Sequence, residues 1–337
     1  MVSKGSETIL VTGSVMVPVA AREYLEHRGY GVRHVAQDTF SSEELRDALD
    51  GVVGYMIGGY EEPLAEHFDG ATALRAVGWV GTDYKAYVPG WERAFELGIA
   101  FLNAPGANAA SVAEFACLLM LTMSRPFTNR VLSPGAAPSE LSAPGRDLLG
   151  KRLGLVGLGR IGSRVARIAA FGFGMHVAYT GPHRKPDLEG ALGVEYLAKE
   201  ELLASSDLVS LHRPGPGANE TCEMGVVECA LLRPESILVN TAHHRLVDPT
   251  ALFVAIEERS VRAAVDGIGS EDAWQRLVAL GPDRFLAVPS MAFNTEDANL
   301  RASMRIATGI CDVLEGKVSD DVNNPDFLSV RDRQRHD

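Results

Sequence analysis

A glycine-rich turn between an apolar strand and a helix is the feature that most constrains this chain. Residues 153–162 read LGLVGLGRIG, so Gly157, Gly159 and Gly162 have the spacing G-x-G-x-x-G. The first glycine makes the tight turn, the second lets backbone approach a pyrophosphate, and the third lets helix and strand pack closely. The following helix offers free N–H groups and the positive end of its dipole to that anion. The motif predicts a dinucleotide site, and a glycine turn without a ligand is the alternative.

The end of the next strand indicates which dinucleotide binds. An NAD site usually has Asp or Glu there, roughly twenty residues past the glycines, to accept hydrogen bonds from ribose hydroxyls. In this chain Thr180 and Gly181 occupy the place, and His183, Arg184 and Lys185 follow. A guanidinium binds a 2′-phosphate through two parallel bonds, whereas a carboxylate repels it. We therefore predict NADP(H), with NAD(H) less favoured, and keep a solvated basic loop as the alternative.

Composition limits the class of protein. A length of 337 residues suggests two domains, and 46% hydrophobic with 23% charged residues is enough for an ordinary globular core. The net charge of −12 argues against a nucleic-acid partner, because phosphates attract basic proteins. Cys117, Cys222, Cys229 and Cys311 form no C-x-x-C pair, which fits a reducing cytoplasm. The most apolar stretch, 115–123, is too short to cross a bilayer, so we expect no membrane association.

Strand and helix patterns alternate along the chain. The patterns predict strands at 8–12, 31–35, 54–57, 73–80, 98–102, 208–211, 236–240, 263–266 and 285–288, in addition to the one before the glycines. They predict helices at 20–28, 42–49, 108–124 and 297–315. Residues 133–146 are rich in Pro, Ser, Ala and Gly and are interpreted as a surface loop, and the tail from Ser329 as a mobile end. The fold class is α/β, with two Rossmann-like, doubly wound parallel-sheet domains.

Several long segments, in order, resemble motifs of the D-2-hydroxyacid dehydrogenase family. They are PGANAASVAE at 105–114, LLGKRLGLVGLGRIGSRVARIAAFGFGM at 148–175, SSDLVSLHRP at 205–214, RPESILVNTA at 233–242 and LVDPTAL at 246–252. YTGPHR at 179–184 is similar to the NADP(H)-preferring glyoxylate/hydroxypyruvate reductase branch. The resemblance implies a substrate domain (1–104 plus 296–337), an NADP-binding domain (105–295), a cleft between them and a homodimer.

The resemblance also implies the residues that bind the dinucleotide. One of them, Asp266, matches the family Asp that contacts the nicotinamide amide. Besides the three glycines, the predicted set is Arg160, Ile161, Thr180, His183, Arg184, Lys185, His212, Pro214, Thr241, Ala242 and Asp266.

The catalytic positions depart from the family pattern. Family members bind the substrate carboxylate with an Arg, move the proton with a His and tune that His with a Glu. Here the Glu matches Glu271, but the Arg position is His243, followed by His244 and Arg245 where the family has glycines, and the His position is Ser290. A histidine lacks the two-pronged charged fork of Arg, and a serine hydroxyl is too weak an acid to carry the proton unaided. Ordinary 2-hydroxy-acid oxidation should therefore be poor.

Three functions fit these changes. The first is an NADPH-dependent oxidoreductase that transfers hydride to a non-standard carbonyl or imine, with His243 or His244 carrying the proton, since histidine titrates near neutral pH. The second is a redox-neutral epimerase or lyase with bound NADP. The third is an inactive nucleotide-binding regulatory protein, in which these imidazoles are only structural.

Substrate contacts are expected from the segment GWVGTDYKAY at 78–87. In the family, backbone N–H groups near the positions of Val80 and Gly81 meet the substrate's acid group. Lys85 is either a receptor for that anion or a surface lysine, and Trp79 is core or pocket wall. His243, His244, Cys222 and Cys229 lack the spacing of zinc ligands, so no metal is expected.

Overall fold

The computed structural model describes residues 7–125, 144–215 and 222–334. The chain divides into two compact units, one formed by Met1–Asn108 with Asn294–Asp337 and the other by Ala109–Phe293. Of the surface loop expected at 133–146, residues 133–143 lie outside the described residues.

The first unit contains a parallel sheet with the strand order β2-β1-β3-β4-β5. Its strands are β1 Thr8–Thr12, β2 Gly31–Val35, β3 Gly54–Ile57, β4 Ala76–Trp79 and β5 Ala100–Asn103. Its helices are α1 Val19–His27, α2 Ser42–Leu49, α3 Ala65–Gly70, α4 Tyr84–Tyr87, α5 Trp91–Glu96, and, after the second unit, α13 Glu296–Leu314 and α14 Phe327–Gln334. Ile9, Leu10 and Val11 are all fully buried, as expected for a parallel strand covered on both faces.

Two predictions for this unit meet different outcomes. The start of α2 is confirmed, because the Ser41 hydroxyl accepts a bond from the N–H of Glu44, and the Glu44 carboxylate accepts one from the N–H of Ser41. The strand predicted at 73–80 is too long. The N–H of Leu74 bonds to the carbonyl of Ala71, so a turn uses the backbone that precedes β4.

Most of the tail from Ser329, expected to be mobile, is instead helical, because α14 continues to Gln334; residues 335–337 lie outside the described residues. Phe327 is 9% exposed at the start of the helix, and Gly98 packs so closely that a Cβ there would lie 2.8 Å from the N atom of Arg331. Upstream, the Asn324 side chain accepts a hydrogen bond from Phe101 and donates one to Ile99. Burial and these side-chain bonds order a segment that looks polar in sequence.

The second unit contains a parallel sheet with the order β12-β11-β10-β9-β6-β7-β8. Its strands are β6 Arg152–Val156, β7 His176–Thr180, β8 Glu195–Tyr196, β9 Leu208–Leu211, β10 Ile237–Asn240, β11 Arg262–Asp266 and β12 Phe285–Val288. Its helices are α6 Ala109–Ser124, α7 Gly162–Arg167 continued by a π-helix Ile168–Gly172, α8 Pro186–Leu192, α9 Lys199–Ser205, α10 Val226–Leu231, a 3₁₀ turn His244–Leu246, α11 Pro249–Arg259 and α12 Asp272–Val278.

The sheet of the second unit separates two apolar layers. Leu153 and Leu155 of β6 pack into one layer, and Val156 packs into the other, following the two-residue period of a strand. The strand order reverses between β6 and β9, and ligands of open α/β sheets bind at the carboxyl ends of the strands at such a point. The topology therefore directs attention to the residues that follow β6, β9 and β10. Within the described ranges, no helix combines the length and apolarity needed to cross a membrane.

Candidate functional site

The glycine turn after β6 has the geometry that each glycine was predicted to provide. Gly157 has φ of +103° and donates its N–H to the carbonyl of Thr180 at 2.9 Å. A Cβ at Gly162 would lie 2.2 Å from the carbonyl oxygen of Gly157, so only glycine permits this approach of helix and strand. A Cβ at Gly159, by contrast, would meet nothing within 4 Å. The middle glycine thus faces open space, where a pyrophosphate can approach the backbone.

Three predicted residues surround this turn. Arg160 is exposed, and Ile161 is half-buried directly before α7. His212, after β9, lies beneath the turn, since a Cβ at Gly157 would come within 2.6 Å of its carbonyl oxygen. Its ring lies 3.0 Å from the hydroxyl of Ser210, and burial lowers the pKa of His212 to about 4. His212 is therefore neutral at pH 7 and lies against the glycine turn.

The basic segment after β7 places one of its side chains at the glycine turn. The ammonium group of Lys185 donates to the carbonyl of Leu158, within the glycine turn, at 2.8 Å. Arg184 is instead bound to Glu189 of α8, and His183 is exposed. Thr180 at the end of β7 is buried. One cation thus contacts the glycine loop, whereas the second is paired with a carboxylate.

The loop that follows β10 forms the next part of the candidate site. The Asn240 side chain accepts a bond from the N–H of Ala242 and donates one to the carbonyl of His243, which fixes the loop. The Oγ1 atom of Thr241 is buried and has no hydrogen-bond partner among the described residues. An unpartnered buried hydroxyl is costly, and a bound amide or hydroxyl group would satisfy it. Together with the open face of Gly159, this atom fits a nicotinamide dinucleotide along the carboxyl edge of the sheet.

The carboxylate of Asp266 has an internal structural role. Its two oxygens accept backbone N–H groups of Met291 and Ala292 at 2.7 and 3.0 Å. Burial raises the pKa of Asp266, and these two bonds counteract the rise. Asp266 thereby holds the loop that contains Ser290. Ser290 itself is exposed and has φ of +41°, in the left-handed region.

Two imidazoles lie side by side after β10. The rings of His243 and His244 lie 4.4 Å apart, and the His244 ring stands edge-on to Trp274 at 6.3 Å. The Nδ1 atom of His243 accepts the N–H of Arg245, so this ring caps the 3₁₀ turn. Burial lowers the pKa of His244, the carboxylate of Glu271 counteracts that shift, and Arg245 adds to it. The charge of Glu271 thus favours the protonated form of His244, whereas burial disfavours it.

Comparison with known proteins places this geometry in a family. Residues 115–292 match the family model "D-isomer specific 2-hydroxyacid dehydrogenase, NAD binding domain". The chain belongs to this dehydrogenase family. The chain is 30% identical to a glyoxylate reductase of Thermococcus onnurineus over 92% of this chain and 93% of that protein. It is 34% identical to a glyoxylate reductase of Aeropyrum pernix over 71% of this chain and 74% of that protein.

Solved structures agree at the level of the fold. The TT0316 protein from Thermus thermophilus is 27% identical, with a TM-score of 0.81, covering 94% of this chain and 99% of that one. The D-lactate dehydrogenase of Escherichia coli has a TM-score of 0.79 at 21% identity, covering 93% of this chain and 99% of that chain. The resemblance and the fold class predicted from sequence are confirmed. As a member of this family, the dehydrogenase is an NAD(P)-dependent oxidoreductase with a nicotinamide cofactor.

The first unit of this dehydrogenase carries the residues expected to contact substrate. The N–H of Val80 donates to Ile57, and that of Gly81 donates to Trp79, so binding an acid group there would exchange internal bonds. Trp79 is 5% exposed and stacks on Tyr87 at 5.4 Å. The Lys85 ammonium lies 4.9 Å from the centre of the Trp91 ring. Their role in substrate binding stays a prediction.

Sequence reasoning missed several residues of this dehydrogenase. Asn240, Glu189, Tyr179 and Trp274 each touch a predicted residue, but none of the four was itself predicted as a site residue. Asn240 was detectable, because a polar amide that ends a buried strand usually bonds to the following loop. The described residues include no group of three or more His, Cys, Asp or Glu side chains placed to hold a metal. Pro214 is exposed after β9.

Proposed function

We propose that this dehydrogenase uses NADP(H) and transfers hydride to the carbon of a carbonyl or imine group that is not a simple 2-keto acid. One observation carries the proposal. A glycine turn with dinucleotide geometry and a changed set of proton-transfer residues, His243, His244 and Ser290, occupy the same carboxyl edge of one sheet. When bound, the dinucleotide supplies the hydride. The chain must then bind the substrate, orient it toward the nicotinamide and protonate its heteroatom.

The residues toward the cofactor favour NADP(H). No carboxylate ends β7, where Thr180 and Gly181 stand, and Lys185 and Arg184 follow. Charge-assisted hydrogen bonds contribute about 1.5–3 kcal/mol each, enough for a tenfold preference. Gly157, Gly159 and Gly162 would hold the pyrophosphate. Thr241 would hold the nicotinamide end, together with the lone pairs that the carboxylate of Asp266 keeps beyond its bonds to Met291 and Ala292. The ammonium of Lys185, already at the glycine loop, adds a positive charge near the phosphates.

His244 is the proton carrier that the geometry supports best. Its ring is half-buried against Trp274, and Glu271 interacts with it electrostatically. A proton delivered to the substrate heteroatom from His244 leaves a neutral ring, which burial favours. The Nδ1 atom of His243 accepts the N–H of Arg245, so the role of His243 is to orient the turn and to pack against His244. Ser290 is not the donor, since a hydroxyl is too weakly acidic.

The substrate class follows from the missing guanidinium. A carboxylate bound by Arg gains two parallel charge-assisted bonds, and a histidine in its place supplies at most one. A 2-keto acid such as glyoxylate therefore loses much of its ground-state and transition-state binding. Aldehydes, ketones and imines without an adjacent carboxylate lose nothing by the change. We expect them to be reduced with the higher kcat/KM.

Turnover of NADPH with a panel of substrates tests this function. The purified protein should oxidise NADPH with at least one aldehyde, ketone or imine, at a higher kcat/KM than with glyoxylate. Absence of NADPH oxidation across such a panel contradicts the proposal. Product formed without net loss of NADPH would instead identify a redox-neutral enzyme.

The cofactor assignment has its own test in dissociation constants. NADPH should bind at least tenfold more tightly than NADH, and Arg184→Ala should reduce that ratio. The matched control is Arg284→Ala, because Arg284 is also an exposed arginine paired with a glutamate, Glu257, at 2.5 Å. Equal affinity of the unmodified protein for the two dinucleotides would show that the assignment is wrong.

A homodimer is also proposed. Leu118 and Leu121 are 51% and 40% exposed on one face of α6, and Phe171 is 65% exposed. Apolar groups on one helix face are typical of an interface. Light scattering should give twice the chain mass, and Leu118→Glu should reduce it; a monomer at working concentration contradicts this proposal.

A further inference from the structure

The cation predicted to recognise a 2′-phosphate is already paired. Arg184 donates from Nε to Oε1 of Glu189 at 3.2 Å and from Nη2 to Oε2 at 2.5 Å. The Arg184 side chain is 63% exposed, whereas that of Glu189 is only 14% exposed. The carboxylate is therefore the fixed partner of the pair, and the guanidinium is the group with room to move.

Further contacts hold Glu189 in place. The hydroxyl of Tyr179 donates to its Oε1 atom at 2.6 Å, and the same hydroxyl accepts the N–H of Lys185 at 2.6 Å. The Tyr196 ring packs edge-on to Tyr179 at 5.3 Å and lies 5.7 Å from the guanidinium of Arg184. Arg184 and Tyr179 hold the pKa of Glu189 at about 2, so the carboxylate is charged at neutral pH. The contacts define a built pair rather than a chance encounter of surface charges.

The pairing changes the charge that a phosphate would meet. The positive charge of Arg184 is offset by Glu189, and Lys185 is engaged at the glycine loop with Leu158. A dianionic 2′-phosphate near Arg184 must share the guanidinium with the carboxylate or displace it. In either case the phosphate and Glu189 repel each other, whereas the ribose hydroxyl of NADH carries no charge to repel.

We propose that Glu189 limits the preference of this site for a 2′-phosphate by competing for Arg184. This inference rests on the proposed NADP(H) function and adds the residue that sets how strong the cofactor preference is. An alternative role, in which Glu189 helps by orienting Arg184, predicts the opposite effect of removing its charge. Glu189→Gln separates the two roles, because glutamine keeps an acceptor oxygen for Tyr179 and Arg184 but loses the charge.

The test uses the full chain and two nucleotide fragments. Isothermal calorimetry with adenosine 2′,5′-bisphosphate and with AMP isolates the contribution of the 2′-phosphate. Glu189→Gln should bind the bisphosphate about two- to fivefold more tightly, the size of an exposed charge interaction, and AMP unchanged. In an Arg184→Ala background the same substitution should give a smaller gain, since part of the effect passes through the arginine. Glu257→Gln, which removes a carboxylate from the Arg284 pair, is the control and should change neither affinity.

The outcomes distinguish this inference from the cofactor assignment. The bisphosphate-to-AMP affinity ratio of the unmodified protein tests the assignment, and its change in Glu189→Gln tests the competition. Unchanged or weaker bisphosphate binding by Glu189→Gln, with an unchanged melting temperature, overturns the inference even if the unmodified protein prefers the phosphate. A gain of the same size with AMP also overturns it, because the effect would then not concern the 2′-phosphate.

Discussion

The two halves of the site in the second unit are built in different ways. The dinucleotide end depends on backbone: Gly157 needs its positive φ, and Gly162 needs the absence of a side chain. The proposed proton-transfer end depends on side chains, namely His243, His244 and Glu271, carried on a loop and a short turn. Few residues satisfy the first requirement, so its motif is easily recognised. Side chains on a loop are replaced without loss of the fold, and this is where we propose that the chemistry departs from the family pattern.

The largest expected effect comes from the proton carrier. His244→Gln should lower kcat for reduction by about 100-fold or more, the usual loss when a general acid is removed. The KM for NADPH should hardly change, because the glycine turn is untouched. His176→Gln is the control, since His176 is an exposed histidine at the start of β7. Steady-state kinetics measure kcat and KM for both variants. Equal kcat in the two variants would show that His244 does not carry the proton.

Substitutions at Gly162 and Gly159 should affect different properties, the first the stability of the fold and the second the binding of NADPH. Gly162→Ala should lower the free energy of unfolding by about 1–3 kcal/mol, because its methyl group would overlap the Gly157 carbonyl. Gly159→Ala should leave the unfolding free energy nearly unchanged, since its Cβ meets nothing within 4 Å, yet weaken NADPH binding. Chemical denaturation and calorimetry provide the two readouts. If Gly159→Ala binds NADPH normally, the pyrophosphate does not approach the backbone there.

The pH dependence of the rate tests whether Glu271 acts on His244. Its carboxylate counteracts the lowering of the pKa of His244 by burial, so Glu271→Gln should lower that pKa further. Reduction needs the protonated ring, and the rate therefore falls as pH rises through this pKa. In Glu271→Gln the fall should begin at a lower pH, with a several-fold loss of kcat at pH 7. A pH–rate profile that does not move would show that the two groups are uncoupled during turnover.

Ser290 should give the smallest effect. Ser290→Ala keeps the left-handed backbone equally strained and removes only a hydroxyl that we assign no proton. We expect kcat to stay within about twofold of the unmodified value, since a weakly acidic hydroxyl contributes little to proton transfer. A loss comparable to that of His244→Gln would return the catalytic role to this position.

The sequence predicted the parallel strands closely, because apolar runs in covered strands leave little ambiguity. Thr8–Thr12, Leu208–Leu211 and Phe285–Val288 have the predicted bounds. It failed at the C-terminus, where α14 is ordered by the burial of Phe327 and by Asn324, contacts with residues far away in the chain. Contacts of that kind leave no local pattern to read.

By itself the sequence determined the family, the fold class and the dinucleotide turn, because these depend on the order of local motifs, the alternation of strand and helix patterns, and the spacing of three glycines. Only the tertiary structure decided that Arg184 is bound to Glu189, that His243 caps a turn while Glu271 acts on His244, and that Asp266 holds the Ser290 loop. The physical reason is that charge and hydrogen-bond partners are set by distances in the folded chain, whether the two residues are close in sequence or far apart. Residue type gives what a side chain is able to do, and its packed neighbours decide what it does.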